Sequence, residues 1–136
     1  LVALLAAAST ATPLALPIEE SINAAAAGWD CRKSGWGSSS TLIATHSKFN
    51  KKFGNSRLTM ADHQCYVVKC YQHYFGVCNY TGNVRVEKSG LRNVAKNAIP
   101  HNRGSACIFN GGFGVSYVYG NEEHLIVNKG DHIRIC

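Results

Sequence analysis

Along "SSSTLIATHSKFNKKF", Leu42, His46, Phe49 and Phe53 recur at offsets of four, three and four, the spacing that lines one face of an α-helix. Ser39 or Ser40 stands where a helix is capped. Lys48, Lys51 and Lys52 fall on other faces and toward the C-terminus, where cations suit the helix dipole, and Gly54-Asn55 supplies a stop. The period then changes. "CYVVKCYQH" is rich in β-branched and aromatic residues, "NVRVE" alternates, and "ACIF", "FGVSYVY", "HLIV" and "HIRIC" are short apolar runs cut by Gly and Asn, which are strand signals. Asn110-Gly111-Gly112, Gly120-Asn121 and Lys129-Gly130 provide turn chemistry for an antiparallel meander. Between these runs, "SGLRNVAKNAIP" offers Leu91, Val94, Ala95 and Ala98 on one side and Pro100 as terminator, which suits a turn of helix or a structured loop. A helix first and strands after it predict an α+β fold, with one N-terminal helix packed on an antiparallel β-sheet.

The first residues follow a different rule. "LVALLAAASTATPLALPIEESINAAAAGW" opens apolar, carries no Lys or Arg and has small residues suited to cleavage near Ala11; it reads as the apolar region of a secretory signal peptide. The run is too short and too interrupted by Ser, Thr and Pro to span a bilayer. Residues 1–27 are therefore expected to be a leader and residues 28–136 one secreted domain. Its roughly 109 residues suffice for a single core.

All six cysteines, Cys31, Cys65, Cys70, Cys78, Cys107 and Cys136, lie in that domain. An even count in a small secreted chain predicts disulfides rather than a zinc site, and fifteen pairings are open. Cys31 and Cys136 stand at the two ends of the domain, and because chain termini usually lie close together they are the pair expected from sequence. Asn79-Tyr80-Thr81 is a glycosylation sequon. With Glu19 and Glu20 in the leader, six of the eight acidic residues face all fourteen Lys and Arg, a formal charge of +8 on the domain. That sign attracts phosphates, anionic surfaces or acidic partners, and it equally serves solubility.

A further pattern lies in the order of short motifs. A cysteine soon after the domain start, the Ser-capped helix, Tyr71-x-His73, Glu87 at a strand end, a Gly-rich stretch leading to "CIFN" (Cys107 to Asn110), "FGV" (Phe113 to Val115) and a closing cysteine together resemble the fungal guanyl-specific ribonuclease family, the microbial ribonuclease fold. The resemblance implies cleavage of RNA through a 2′,3′-cyclic phosphate, with a Glu as base, a His as acid and Tyr, His and Arg groups steadying the phosphoryl oxygens. Those types suit the reaction, which needs proton carriers poised near neutrality and donors for an anionic transition state. Tyr71, His73 and Glu87 match the family motif. Arg103, or Arg85 two positions before Glu87, would serve near the phosphate, and His124 would serve as acid if the preceding strand carries an insertion.

The chain also departs from that pattern. Ala106 stands where the family has its Arg, and Val118 and Tyr119 stand around the place of its acid His. Trp29-Asp30-Cys31 and Cys136 match a second relative, the ribonuclease-like secreted effectors of plant-parasitic fungi such as powdery mildews, in which the catalytic set is eroded. That resemblance implies a secreted, monomeric virulence protein, delivered into host cells in some cases, that binds host RNA or a host protein without hydrolysis. Tyr71, His73 and Arg85 are then the RNA-binding candidates. An active secreted endoribonuclease is the first alternative. "WDCRKSG" resembles the small secreted killer-type toxins, which are also basic and α+β, and gives the second. No cofactor is expected, and no metal site, since His124 and His132 stand eight apart across an expected hairpin.

Overall fold

In a computed structural model, residues 28–33, 38–55, 57–98 and 106–136 are described. The leader and Arg103 lie outside them, as do Pro100 and His101. The chain forms β1 (Asp30–Cys31), α1 (Ser39–Phe53), β2 (Thr59–Met60), β3 (Cys65–Cys70), β4 (His73–Asn79), β5 (Arg85–Val86), α2 (Leu91–Asn97), β6 (Ala106–Asn110), β7 (Val115–Asn121), a 3₁₀ turn (Glu122–His124) and β8 (His132–Ile135). Six strands make one sheet in the order β1-β6-β7-β4-β3-β8, and β2 pairs with β5 in a separate ribbon. The fold is α+β, two helices on a mixed sheet with three disulfides.

Helix α1 forms where its periodicity places it. Its cap is Ser38, one residue before the expected pair, whose Oγ accepts the Thr41 N–H at 3.2 Å. Gly54, at φ 82°, closes the other end by donating to the Asn50 carbonyl. Leu42, Thr45, His46 and Phe49 are buried. Phe49 meets Phe75 of β4 edge-on at 5.3 Å, so the helix covers the sheet face that carries Val68, Phe75, Val77, Phe109, Tyr117 and Tyr119. The segment left open between helix and loop forms the helix α2, which buries Leu91, Arg92 and Ala95. The indole of Trp29 donates to the Ala95 carbonyl at 2.9 Å, tying the start of the domain to α2. On the other sheet face Leu125 and Ile133 pack over Val67, Tyr74 and the Cys65–Cys78 bridge.

Several expectations are corrected. The sheet is mixed, because β8 runs parallel to β3, with Tyr66 opposite His132 and Lys69 opposite Ile135. "CYVVKCYQH" is not one strand. Tyr71 and Gln72, at φ 56° and 61°, form the tight turn between β3 and β4, with Cys70 opposite His73; positive φ at both central positions matches the right-handed twist of a hairpin, at a steric cost for side chains other than Gly. "HLIV" forms no strand, since its start belongs to the 3₁₀ turn and the rest is irregular. Gly120-Asn121 makes no turn and continues β7 in register with β4.

The expected Cys31–Cys136 bridge is replaced by Cys31–Cys107, Cys65–Cys78 and Cys70–Cys136. The two termini enter opposite edges of the sheet, five strand steps or roughly 24 Å apart at about 4.8 Å per step. Pairing of β1 with β6 sets Cys31 opposite Cys107, and β8 delivers Cys136 beside the end of β3. Three disulfides are typical of secreted proteins, and no helix among the described residues is long and apolar enough to cross a membrane.

The sequon is also put to structural use. The Asn79 side chain is fully buried. Its amide nitrogen donates to the carbonyls of Met60, Ala61 and Asn83, and its oxygen accepts from the Thr81 N–H and hydroxyl. A glycan on that nitrogen would take the place of one of its two hydrogens and so compete with the bonds that hold the β2–β5 ribbon against β4.

Candidate functional site

The residues matched to a ribonuclease site do not converge. Tyr71 sits at the hairpin tip, 54 % exposed, before β4, whereas Arg85 and Glu87 follow its far end. The six residue steps of β4 separate them by roughly 20 Å at about 3.3 Å per residue. His73 is fully buried on the helix side, stacked on Tyr119 with centroids 5.5 Å apart, and its Nδ1 lies 2.8 Å from the Tyr71 carbonyl. His124 lies on the 3₁₀ turn beside Glu123, at the rim of a cleft on the opposite sheet face. Arg85 is half-buried and donates to Thr81 Oγ1. Tyr71-x-His73 and Glu87 therefore do not lie on adjacent strands, because β5 ends before Glu87 and pairs with β2 rather than β4.

Glu87 instead anchors a buried polar network. Its carboxylate, 2 % exposed, accepts from Arg92 Nη2 at 2.6 Å and Nε at 3.0 Å, from the Tyr117 hydroxyl at 2.6 Å and from the Leu58 N–H at 3.3 Å. Arg92 Nη1 donates to Asn50 Oδ1 and to the Gly54 carbonyl, and the guanidinium lies over the Phe49 ring at 4.8 Å. The Glu87–Arg92 pair thus joins α1, α2, β7 and the β2–β5 ribbon. Burial, and then the neighbouring Glu87 charge and its hydrogen bond, push the Tyr117 hydroxyl far above the usual phenol range, so it serves as a donor at all working pH values.

Above this network opens a polar cleft of about 170 Å³, lined by Asn50, Asn55, Arg57, Lys88, Ser89 and Asn93. Its three cations, Arg57, Lys88 and Arg92, face the single carboxylate of Glu87, which Arg92 already holds. A second cleft of about 200 Å³ lies on the far sheet face. It is apolar, walled by Val67, Tyr74, Ile108, Val118, Leu125 and Ile126. Burial, with Tyr80 nearby, pushes the Tyr74 hydroxyl there up to about 12. No group of three His, Cys, Asp or Glu side chains among the described residues could hold a metal ion. Arg92, Tyr117, Arg57 and Lys88 were not singled out from sequence; the Glu87–Arg92 spacing of five matches neither helical nor strand periodicity, and Tyr117 reads as a packing residue.

His46 supplies a titration of its own. Its ring meets Phe75 edge-on at 5.4 Å and its Nε2 has no hydrogen-bond partner among the described residues. Burial, followed by the charges of Lys96 and Arg92, pushes its pKa from 6.5 down to about 4 against the smaller pull of Glu87. The unfolded chain therefore binds the proton more readily than the folded one. Stability is complete above pH 6.5 and falls as the pH drops from there toward 4, by about 3 kcal/mol at 1.36 kcal/mol per unit. Urea midpoints at pH 7 and pH 4.5 should separate much less for His46→Leu than for the wild type. An equal separation in both would show that His46 does not carry the effect.

Compared with protein-family models, with curated proteins and with solved structures, the chain gives no match.

Proposed function

We propose that the chain is a secreted, disulfide-stapled protein of the ribonuclease-like effector class that acts by binding and does not hydrolyse RNA. One observation carries the second half of that reading: the two groups matched to the family's proton carriers by motif, Glu87 and His73, are inside the core, and His124 stands alone on the opposite sheet face. A general base must come within hydrogen-bond reach of the proton it takes. Glu87 is 2 % exposed with both oxygens engaged, and His73 has no exposed surface. The three disulfides and the +8 charge support secretion and an anionic or acidic partner.

Incubation of the secreted, oxidised protein with mixed-sequence RNA should leave the RNA intact. Products ending in 2′,3′-cyclic phosphate that disappear in a Glu87→Gln, His73→Gln double variant would make the protein an endoribonuclease and overturn the proposal. A killer-type toxin is the second reading. The observations consistent with it are the α+β fold, the three disulfides and the basic charge. Arrest of fungal growth by the purified protein would select that reading over the effector.

A further inference from the structure

The cleft over the Glu87–Arg92 pair is built to donate hydrogen bonds. Asn50 Oδ1 accepts from Arg92 Nη1 at 2.7 Å, and because a guanidinium only donates, this fixes which end of the Asn50 amide faces it. The amide nitrogen is left as a donor at the cleft wall, with no partner among the described residues. Asn55, Asn93 and Ser89 add further polar groups, and Arg57 and Lys88 add charge. Neither Arg57 nor Lys88 has a carboxylate within ion-pair distance among the described residues. The only acid in the wall, Glu87, is neutralised by Arg92. Such a wall favours an oxyanion and disfavours a cation.

A second feature adjoins it independently. Gly112, Phe113 and Gly114 all have positive φ, at 72°, 55° and 83°, and Phe113 is the one residue of the three with a side chain to strain. Gly114 is held at φ 83° with the Arg85 side chain against it, so a Cβ there, 2.6 Å from Arg85 Nε, would strain the backbone and force Arg85 to shift. The turn spends this strain on holding a phenyl ring 43 % exposed, with the Lys88 ammonium 4.9 Å from its centroid. An exposed aromatic ring with a cation over it, beside a donor-lined cleft, is the arrangement that holds a base next to its phosphate.

We propose that this cleft binds the phosphate of a nucleotide unit through Arg57, Lys88 and the Asn50 amide, and that Phe113 stacks the attached base. The inference rests on the proposed binding function and deepens it by moving the nucleic-acid face to the α1–α2 end of the domain. Of the three RNA-binding candidates named from sequence, Arg85 alone adjoins this surface, through its packing against Gly114. Single-stranded RNA and free nucleotides share the chemistry and are separated by the choice of probe.

The test is an NMR titration of the secreted, oxidised, isotope-labelled protein with inorganic phosphate, adenosine monophosphate and hexa-adenylate RNA. All three should move the side-chain amide signals of Asn50 and Asn93, and the two adenosine probes should also move the Phe113 ring. An Arg57→Ala, Lys88→Ala double variant should weaken hexamer binding at least about tenfold and reduce the slope of log affinity against log salt by about 0.7, the single-strand value for one phosphate contact. Phe113→Asn, which tolerates the left-handed conformation, should weaken both adenosine probes about tenfold and leave phosphate unchanged. Tighter binding of the hexamer identifies RNA as the ligand, and equal binding identifies the free nucleotide. Unchanged amide signals with every probe, or full affinity in the double variant with its fold intact, would overturn the cleft. Amide shifts accompanied by cleavage of the hexamer would support the cleft and overturn the non-hydrolytic reading, whereas intact RNA without shifts would remove the cleft alone.

Discussion

Glu87→Ala is expected to lose about 3–5 kcal/mol of folding stability, the range for removing one partner of a buried ion pair. Arg92, 7 % exposed, would be left with its charge uncompensated, and the Tyr117 hydroxyl and the Leu58 N–H would lose their acceptor. A loss of that size is a large share of the 5–15 kcal/mol typical of a domain. Urea unfolding of the oxidised protein measures it. Replacing both partners with apolar side chains, Glu87→Leu with Arg92→Met, should restore much of the loss, because no buried charge is then stranded. The outcome also bears on function. A carboxylate kept for catalysis can usually be removed at little or no cost in stability, since active sites trade stability for activity. A variant within about 1 kcal/mol of the wild type would therefore contradict the structural role assigned to Glu87 and return it to the list of possible bases.

The second large effect belongs to the two long-range disulfides. Cys31–Cys107 and Cys70–Cys136 join residues 76 and 66 apart in sequence, whereas Cys65–Cys78 joins residues 13 apart within one hairpin. In the loop-entropy account, removal of either long bridge by paired Cys→Ala substitution costs about 4 kcal/mol and removal of the short one about 3 kcal/mol. The long bridges clamp opposite edges of the sheet: β1, only two residues long, and β8, the parallel strand outside β3. Thermal unfolding of the three paired variants should rank the short bridge as the least costly. Peptide mapping should recover Cys31 linked to Cys107 and no peptide linking Cys31 to Cys136.

Failure of the terminal-cysteine expectation has a definite cause. Proximity of chain ends is a property of average domains, but here the first and last strands are opposite edges of one sheet. Nothing local to Asp30–Cys31 or to "HIRIC" states which strand each will join. The Tyr71-x-His73 pair misled for a related reason. β-branched and aromatic content suggested a continuing strand, yet the chain reverses at Tyr71-Gln72 without the Asn or Gly that usually marks such a turn. The reversal is enforced by the register of Cys65 with Cys78 and Cys70 with His73.

The sequence by itself determined the elements whose causes are short-range. Helix α1 follows from apolar spacing and a serine cap, the β6–β7 hairpin from Asn110-Gly111-Gly112, and an all-disulfide cysteine set from an even count beside a leader-like start. Only the tertiary structure decided which faces those elements turn inward. It placed Glu87 between Arg92 of one helix and Tyr117 of the central sheet, set the Asn79 side chain on the Met60 carbonyl, and set Lys88 beside Phe113 from a different strand connection. Of these contacts Glu87–Tyr117, Asn79–Met60 and Lys88–Phe113 join residues nineteen or more positions apart. Local periodicity reaches about one turn of helix or one strand pair, so it can name the elements but not the partners their side chains will find.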